Sequence, residues 1–294
     1  METISNEYLT VNIDCHGAEL KNIIRNSDQH EYLWHGDPAY WKRRSPVLFP
    51  IVGSVWEGRY RIDGREYALS QHGFARDMDF TLISNDGTQA IFRLDSNEET
   101  LKLYPREFSL EIGYRLHGRS IEVSWTVCNT STDVEMPFQI GAHPAFNYMD
   151  YDPDAAVQGY FKFDRGQDSF ALSLIGRKGC LKNEKSVLEA HNGILPITRS
   201  SFNGDALVLE NGQVHQVTLL DRQQQPYLSV TFDAPVVGLW SPTHDGYAPF
   251  VCIEPWYGRC DREEFNGDFS DKDWVQRLAP QQSFSTTYNI VTMP

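Results

Sequence analysis

The sequence predicts an all-β fold, a large and mostly antiparallel β-sandwich with a few short helices. Three observations predict it. Apolar and polar residues alternate with period two in many short runs, glycine-containing turn signals separate those runs, and segments with a helical period are few and short. The first run is Tyr8-Leu9-Thr10-Val11-Asn12-Ile13, and the next is Ala90-Ile91-Phe92-Arg93-Leu94. The runs over 108–114 and 120–127 flank the turn His117-Gly118-Arg119 and predict a hairpin. Further strands are expected over 214–220, 227–232 and 284–291. Turns are expected at Asp63-Gly64, Asn85-Asp86-Gly87, Asn211-Gly212 and Asp245-Gly246. Helices are expected over 98–103, halted by Pro105, and over 270–277. No repeat, low-complexity tract or linker interrupts the 294 residues, so residues 1–294 read as one domain.

Composition narrows the function. A hydrophobic fraction of 40% and an aromatic fraction of 13% suffice for a substantial core and for aromatic-lined clefts. The net charge of -14, from 40 acidic against 26 basic residues, argues against nucleic acid and anionic membrane surfaces as partners, because phosphate binding needs concentrated Lys and Arg. The first residues lack the basic and apolar regions of a targeting segment, and no window reaches the length of a membrane span. The five cysteines (15, 128, 180, 252 and 260) are odd in number, widely spaced and without a CxxC. They read as reduced thiols of a cytoplasmic protein, not as a disulfide or zinc framework. Cys252 and Cys260 flank Glu254, but the eight-residue gap with no second pair argues against a metal site. The nine histidines show no HxH or HExxH spacing.

Chemistry concentrates in three clusters: Gln71-His72-Gly73-Phe74-Ala75-Arg76, Gly141-Ala142-His143-Pro144-Ala145-Phe146-Asn147, and Cys252-Ile253-Glu254-Pro255-Trp256. Brought together by folding, two histidines, an arginine and a glutamate supply an acid, a base and a charged clamp, a set suited to moving protons on a neutral polyol. The aromatics Trp240, Tyr247, Phe250, Trp256 and Tyr257 gather within 18 residues around Glu254, and such rings stack on the C–H faces of sugars or fill a β core.

These clusters, together with Ser45-Pro46-Val47-Leu48-Phe49-Pro50-Ile51-Val52-Gly53, carry a resemblance to the aldose 1-epimerase (galactose mutarotase-like) superfamily, and more narrowly to its LacX-like branch. Four blocks in the right order, over nearly the whole chain, carry it. The resemblance implies a galactose mutarotase-like supersandwich, an open active-site cleft, and interconversion of the α and β anomers of an aldohexose with no cofactor and no metal. It implies that Glu254 is the general base, that His143 is the general acid, and that His72 binds substrate. Asp205, in Asn203-Gly204-Asp205-Ala206, falls where many members place an aspartate that accepts from sugar hydroxyls. Of Lys42, Arg43, Arg44 and Arg59, we favour Arg44 as the family's substrate-contacting arginine. Arg76 departs from the glycine-rich continuation of galactose mutarotases and resembles the hexose-6-phosphate epimerase branch, in which arginines bind phosphate. The expected partner is a small sugar, an aldohexose or a hexose phosphate, for a monomer or homodimer. The alternatives are a hexose-6-phosphate 1-epimerase and a noncatalytic carbohydrate sensor on the same fold.

Overall fold

The computed structural model describes residues 1–243 and 248–294, and antiparallel strands dominate them. One sheet has nine strands in the spatial order Ile194–Thr198, Val157–Phe163, Gln216–Leu220, Pro226–Phe232, Ser283–Thr292, Ser120–Asn129, Phe108–His117, Gln89–Asp95 and Thr81–Asn85. A second sheet runs Leu181–Glu189, Ser169–Ile175, Leu207–Leu209, Val236–Trp240, Phe250–Tyr257, Ile140–Ala142 and Val47–Leu48; Ala145–Asn147 also pairs with Phe250–Tyr257. Phe92, Ile112 and Trp125 from the first sheet share one buried apolar core with Val237, Leu239, Val251 and Ile253 from the second. The all-β sandwich expected from the sequence is therefore observed.

The expected hairpin pairs Phe108 with Asn129 and His117 with Ser120, which leaves Gly118-Arg119 as a two-residue turn. Asp63 and Gly64, both at positive φ, close a second hairpin between Arg59–Ile62 and Arg65–Ala68. The turn expected at Asp245-Gly246 lies outside the described residues. The helix Glu98–Leu103 forms as expected, with Asn97 capping it and accepting from the N–H groups of Glu99 and Thr100. The helix expected over 270–277 does not form. A single 3₁₀ turn, Phe269–Asp271, gives way to extended backbone at Lys272 and a positive φ at Trp274. Tertiary partners pull the chain out of helix: Lys272 pairs with buried Asp261, and the Trp274 indole donates to Glu210 at 2.9 Å. Among the described residues no helix is long and apolar enough to cross a membrane.

Phe250–Tyr257 organises the second sheet. Its residues are buried on both faces except Tyr257, which is why it reads as a continuous apolar run. Val251 and Ile253 face the shared core, while Cys252, Glu254 and Trp256 take the opposite face. Beside it, the segment around residue 49 is tied to the 70–75 turn: Phe49 N–H donates to His72 O, and the N–H groups of Phe74 and Ala75 donate to Phe49 O. Gly73 makes this approach possible. It sits at φ +71°, and a Cβ there would lie 2.2 Å from Phe49 O. Gly73→Ala is expected to cost at least the ~1–3 kcal/mol of a strained left-handed residue, read as a lowered urea midpoint, with His72 displaced. An unchanged midpoint would refute this account of the turn.

Candidate active site

His143 and Glu254 meet because of strand register. Gly141 lies opposite Trp256 and Ala145 lies opposite Cys252, so the pairing keeps step across the short break between these strands. His143 therefore falls opposite Glu254, with both side chains on one face. Pro144 and Pro255 lack N–H groups, which thins the ladder here; Ile253 N–H to Pro144 O, at 3.3 Å, bridges the gap. His143 Nε2 lies 3.2 Å from Glu254 Oε2, and both side chains are buried.

The pair opens onto a cleft of about 270 Å³, lined among others by Trp41, Gln71, His72, Arg76, Asp205, Trp240 and Trp256. The cleft brings His143, Glu254, His72, Arg76 and Asp205 together, five of the six residues singled out from the sequence. The sixth, Arg44, is elsewhere: its guanidinium donates to Lys21 O at 2.5 Å and its N–H to Glu19 Oε1. It fastens its segment to the strand Leu20–Arg25 and does not line the cleft. Arg43 turns the other way, toward Asp77 at 2.8 Å beside Arg76, and Arg59 pairs with Glu66.

Three tryptophans wall the pair. Trp41 stacks on the His143 ring at a centroid distance of 4.7 Å, and Trp240 meets it edge-on at 5.6 Å. The Trp256 indole reaches over Gly238, the residue opposite Glu254, where a Cβ would come within 2.4 Å of the ring. Trp240 and Trp256 belong to the aromatic group seen in the sequence. Phe250 stacks on Trp34, Tyr257 bonds to Thr286 away from the cleft, and Tyr247 lies outside the described residues. Trp41 and Gln71 were not singled out. Their only signal is their place beside the 42–44 basic run and His72.

Burial sets the proton chemistry. Glu254 is held well above the ordinary carboxylate range, first by desolvation and then by the charge of Asp205. Desolvation, followed by the Arg76 charge, pulls His143 down to about 3. A neutral imidazole beside a neutral carboxylic acid has the same net charge as an imidazolium beside a carboxylate; the two differ by the position of one proton. With one proton shared between the two, burial favours the neutral arrangement. His72 is likewise held well below its ordinary value by burial, then by His143 and Arg76. Its Nδ1 accepts from Gly53 N–H at 3.0 Å, so in the neutral ring Nε2 carries the proton.

The cleft also gathers polar atoms that lack a well-formed hydrogen bond within the protein. Glu254 Oε2, His143 Nδ1, Trp256 Nε1 and Arg76 Nε are all buried in this state. Unpaired buried groups are costly, and four converging on one cleft mark a place for a polar ligand. Asp205, at φ +79°, receives its own loop's Ala206 N–H at one oxygen, leaving the other for a ligand.

The all-β sandwich is of the galactose mutarotase-like class. The sequence pattern of the aldose 1-epimerase family matches residues 2–268, and the chain belongs to that family. Protein LacX (plasmid) of Lactococcus lactis subsp. lactis is 34% identical, over 99% of this chain and 98% of its own length. The putative glucose-6-phosphate 1-epimerase of Escherichia coli K12 is 26% identical, over 82% of this chain and 77% of its own. Among solved structures, the galactose mutarotase related enzyme of Lactobacillus acidophilus superposes with a TM-score of 0.93 at 31% identity, over 100% of this chain and 97% of the other.

The expected state of the two imidazoles can be read directly. In a ¹⁵N NMR titration from about pH 8 to about pH 5, His72 and His143 are expected to stay neutral through the ~6.5 of an ordinary imidazole. Protonation of His143 near that ordinary value would overturn the account of the pair.

Proposed function

We propose that the protein is an aldose 1-epimerase that interconverts the α and β anomers of a free aldohexose. The observation that carries this reading is the His143–Glu254 pair, 3.2 Å apart across one strand register and open to the cleft. Glu254 takes the proton of the C1 hydroxyl while His143 delivers one to the ring oxygen. The C1–O5 bond breaks, the open-chain aldehyde turns about C1–C2, and closure on the other face returns both protons. In this sequence the enzyme starts from imidazolium and carboxylate, the arrangement that burial disfavours in the empty cleft, and passes to neutral imidazole and carboxylic acid. The neutral arrangement that burial favours is thus the one that accompanies the open-chain sugar. His72 Nε2–H, Arg76 and the free oxygen of Asp205 bind ring and hydroxyl oxygens, and the tryptophans cover C–H faces. The cleft volume, just below the usual ~300–1,000 Å³ of small-molecule sites, suits one monosaccharide.

Freshly dissolved α-glucose and α-galactose are expected to reach anomeric equilibrium faster with the protein. Glu254→Gln and His143→Asn should each lower kcat by about 10²–10⁴-fold, followed by polarimetry. Sugar binding without acceleration in the wild-type protein would favour a carbohydrate sensor.

A second reading, a hexose 6-phosphate as substrate, rests on Arg76. Its Nε is buried without a partner, Arg43 lies close enough to lower it, and burial together with Arg43 brings it down to about 10. Arg76→Ala separates the two readings. For a phosphate substrate, KM for glucose 6-phosphate is expected to rise about tenfold or more with little change for glucose, since charged hydrogen bonds contribute ~1.5–3 kcal/mol. For a free hexose, both values move together.

A further inference from the structure

The register that sets His143 against Glu254 places a third donor beside them. Cys252 precedes Glu254 by two residues, so on a strand its thiol leaves the same face. A ring nitrogen of His143, Cys252 Sγ and a Glu254 oxygen all lie within 4.8 Å of one another, and all three residues are buried. In the sequence, the spacing of Cys252 and Cys260 argued against a metal site. In the structure Cys260 packs on Gly53 instead, and His143, which completes a set with Cys252 and Glu254, comes from the gap between two strands more than one hundred residues away.

We propose that His143, Cys252 and Glu254 form a binding site for a borderline-soft divalent cation of the Zn²⁺ and Co²⁺ class, and that its occupancy silences the acid–base pair. Imidazole nitrogen, thiolate sulfur and carboxylate oxygen are the donors such ions accept, and three of them with an open side is the arrangement of exchangeable zinc sites. With metal–ligand bonds of about 2.0–2.3 Å, donors around a tetrahedral ion stand about 3.3–3.8 Å apart. His143 Nε2 and Glu254 Oε2, at 3.2 Å, are already at that spacing, and side-chain rotation closes the rest. An ion here takes the place of the proton between His143 Nε2 and Glu254 Oε2. His143 and Glu254 line the cleft, so water or a sugar hydroxyl reaches the fourth position from there. As the ion binds, the Cys252 thiol proton and the proton held by the His143–Glu254 pair both leave to solvent. Mg²⁺ and Ca²⁺ prefer all-oxygen shells and are selected against. An ion here occupies the lone pairs of both proton-transfer groups.

The test titrates the full chain with CoCl₂ and then ZnCl₂. Co²⁺ is expected to give a thiolate-to-cobalt charge-transfer band in the near ultraviolet with tetrahedral d–d bands, and Zn²⁺ is expected to bleach both. Cys252→Ala should abolish the thiolate band and weaken Zn²⁺ binding by at least about tenfold, the lower limit for losing even an outer-shell partner. If Cys252→Ala does not fold, His143→Ala serves, with the same loss of Zn²⁺ affinity expected. A missing band in the wild-type protein, or an equal band in both variants arising from the partly exposed Cys15 or Cys128, overturns the proposal. The readout needs no turnover, so it stands or falls apart from the epimerase reading. Where turnover is found, full activity at full Zn²⁺ occupancy overturns the silencing.

Discussion

The cleft depends on one cross-strand juxtaposition, an imidazole set against a carboxylate at the point where two antiparallel strands lose their ladder. Sheet hydrogen bonds fix backbone position closely on either side of that point, so the spacing of the pair is inherited from the sheet and not from a loop. Pro144 and Pro255 are the local condition for this. Each removes a donor, so the ladder is interrupted without leaving a buried N–H orphaned. Trp41, Trp240 and Trp256 then exclude water from the pair, and that exclusion gives the pair its proton inventory.

A buried acid–base pair usually faces a conflict, because two charges in a dry site are expensive. Here both arrangements of the shared proton have the same net charge, but the imidazolium–carboxylate one buries two charges and the neutral one none, so burial biases the proton toward Glu254. The cleft is polarised around the pair. Arg76 and Asp205 both line it, the Arg76 charge acting on His143 and the Asp205 charge on Glu254, so the cleft offers both donors and acceptors to a polar ligand.

What the sequence disclosed depended on the range of the cause. The hairpin over 108–127 was legible because its alternation and its two-residue turn are local. The 98–103 helix was legible because Asn97 and Pro105 bound it within a few residues. The segment 270–277 also reads as helical, but Lys272 pairs with Asp261 in extended geometry and Trp274 bonds to Glu210 at a positive φ, and no local signal encodes those partners. The same limit applies in the cleft. His72, Arg76, His143, Asp205 and Glu254 were found through short motifs and a resemblance, and folding gathers them. Arg44 was indistinguishable from Arg43 in the sequence. Only the positions of Lys21 and Asp77 decide that one anchors a strand while the other points toward Arg76. Cys252 was read in company with the wrong partner, because the register linking it to residue 143 is a property of the sheet.

The proton-transfer pair and the contacts around it are mounted differently. Glu254 lies within a strand buried on both faces, with His143 in the short gap between two strands paired to it. Arg76 stands on a single 3₁₀ turn, and Asp205 and Trp41 lie on connecting segments. Insertions and exchanges are tolerated in such segments far better than in a central strand. Under the proposed function, reaction and selectivity are thus inherited through separate parts of the chain, and a lineage can retune which sugar it accepts, or acquire a charged one, while the proton-transfer core stays as it is.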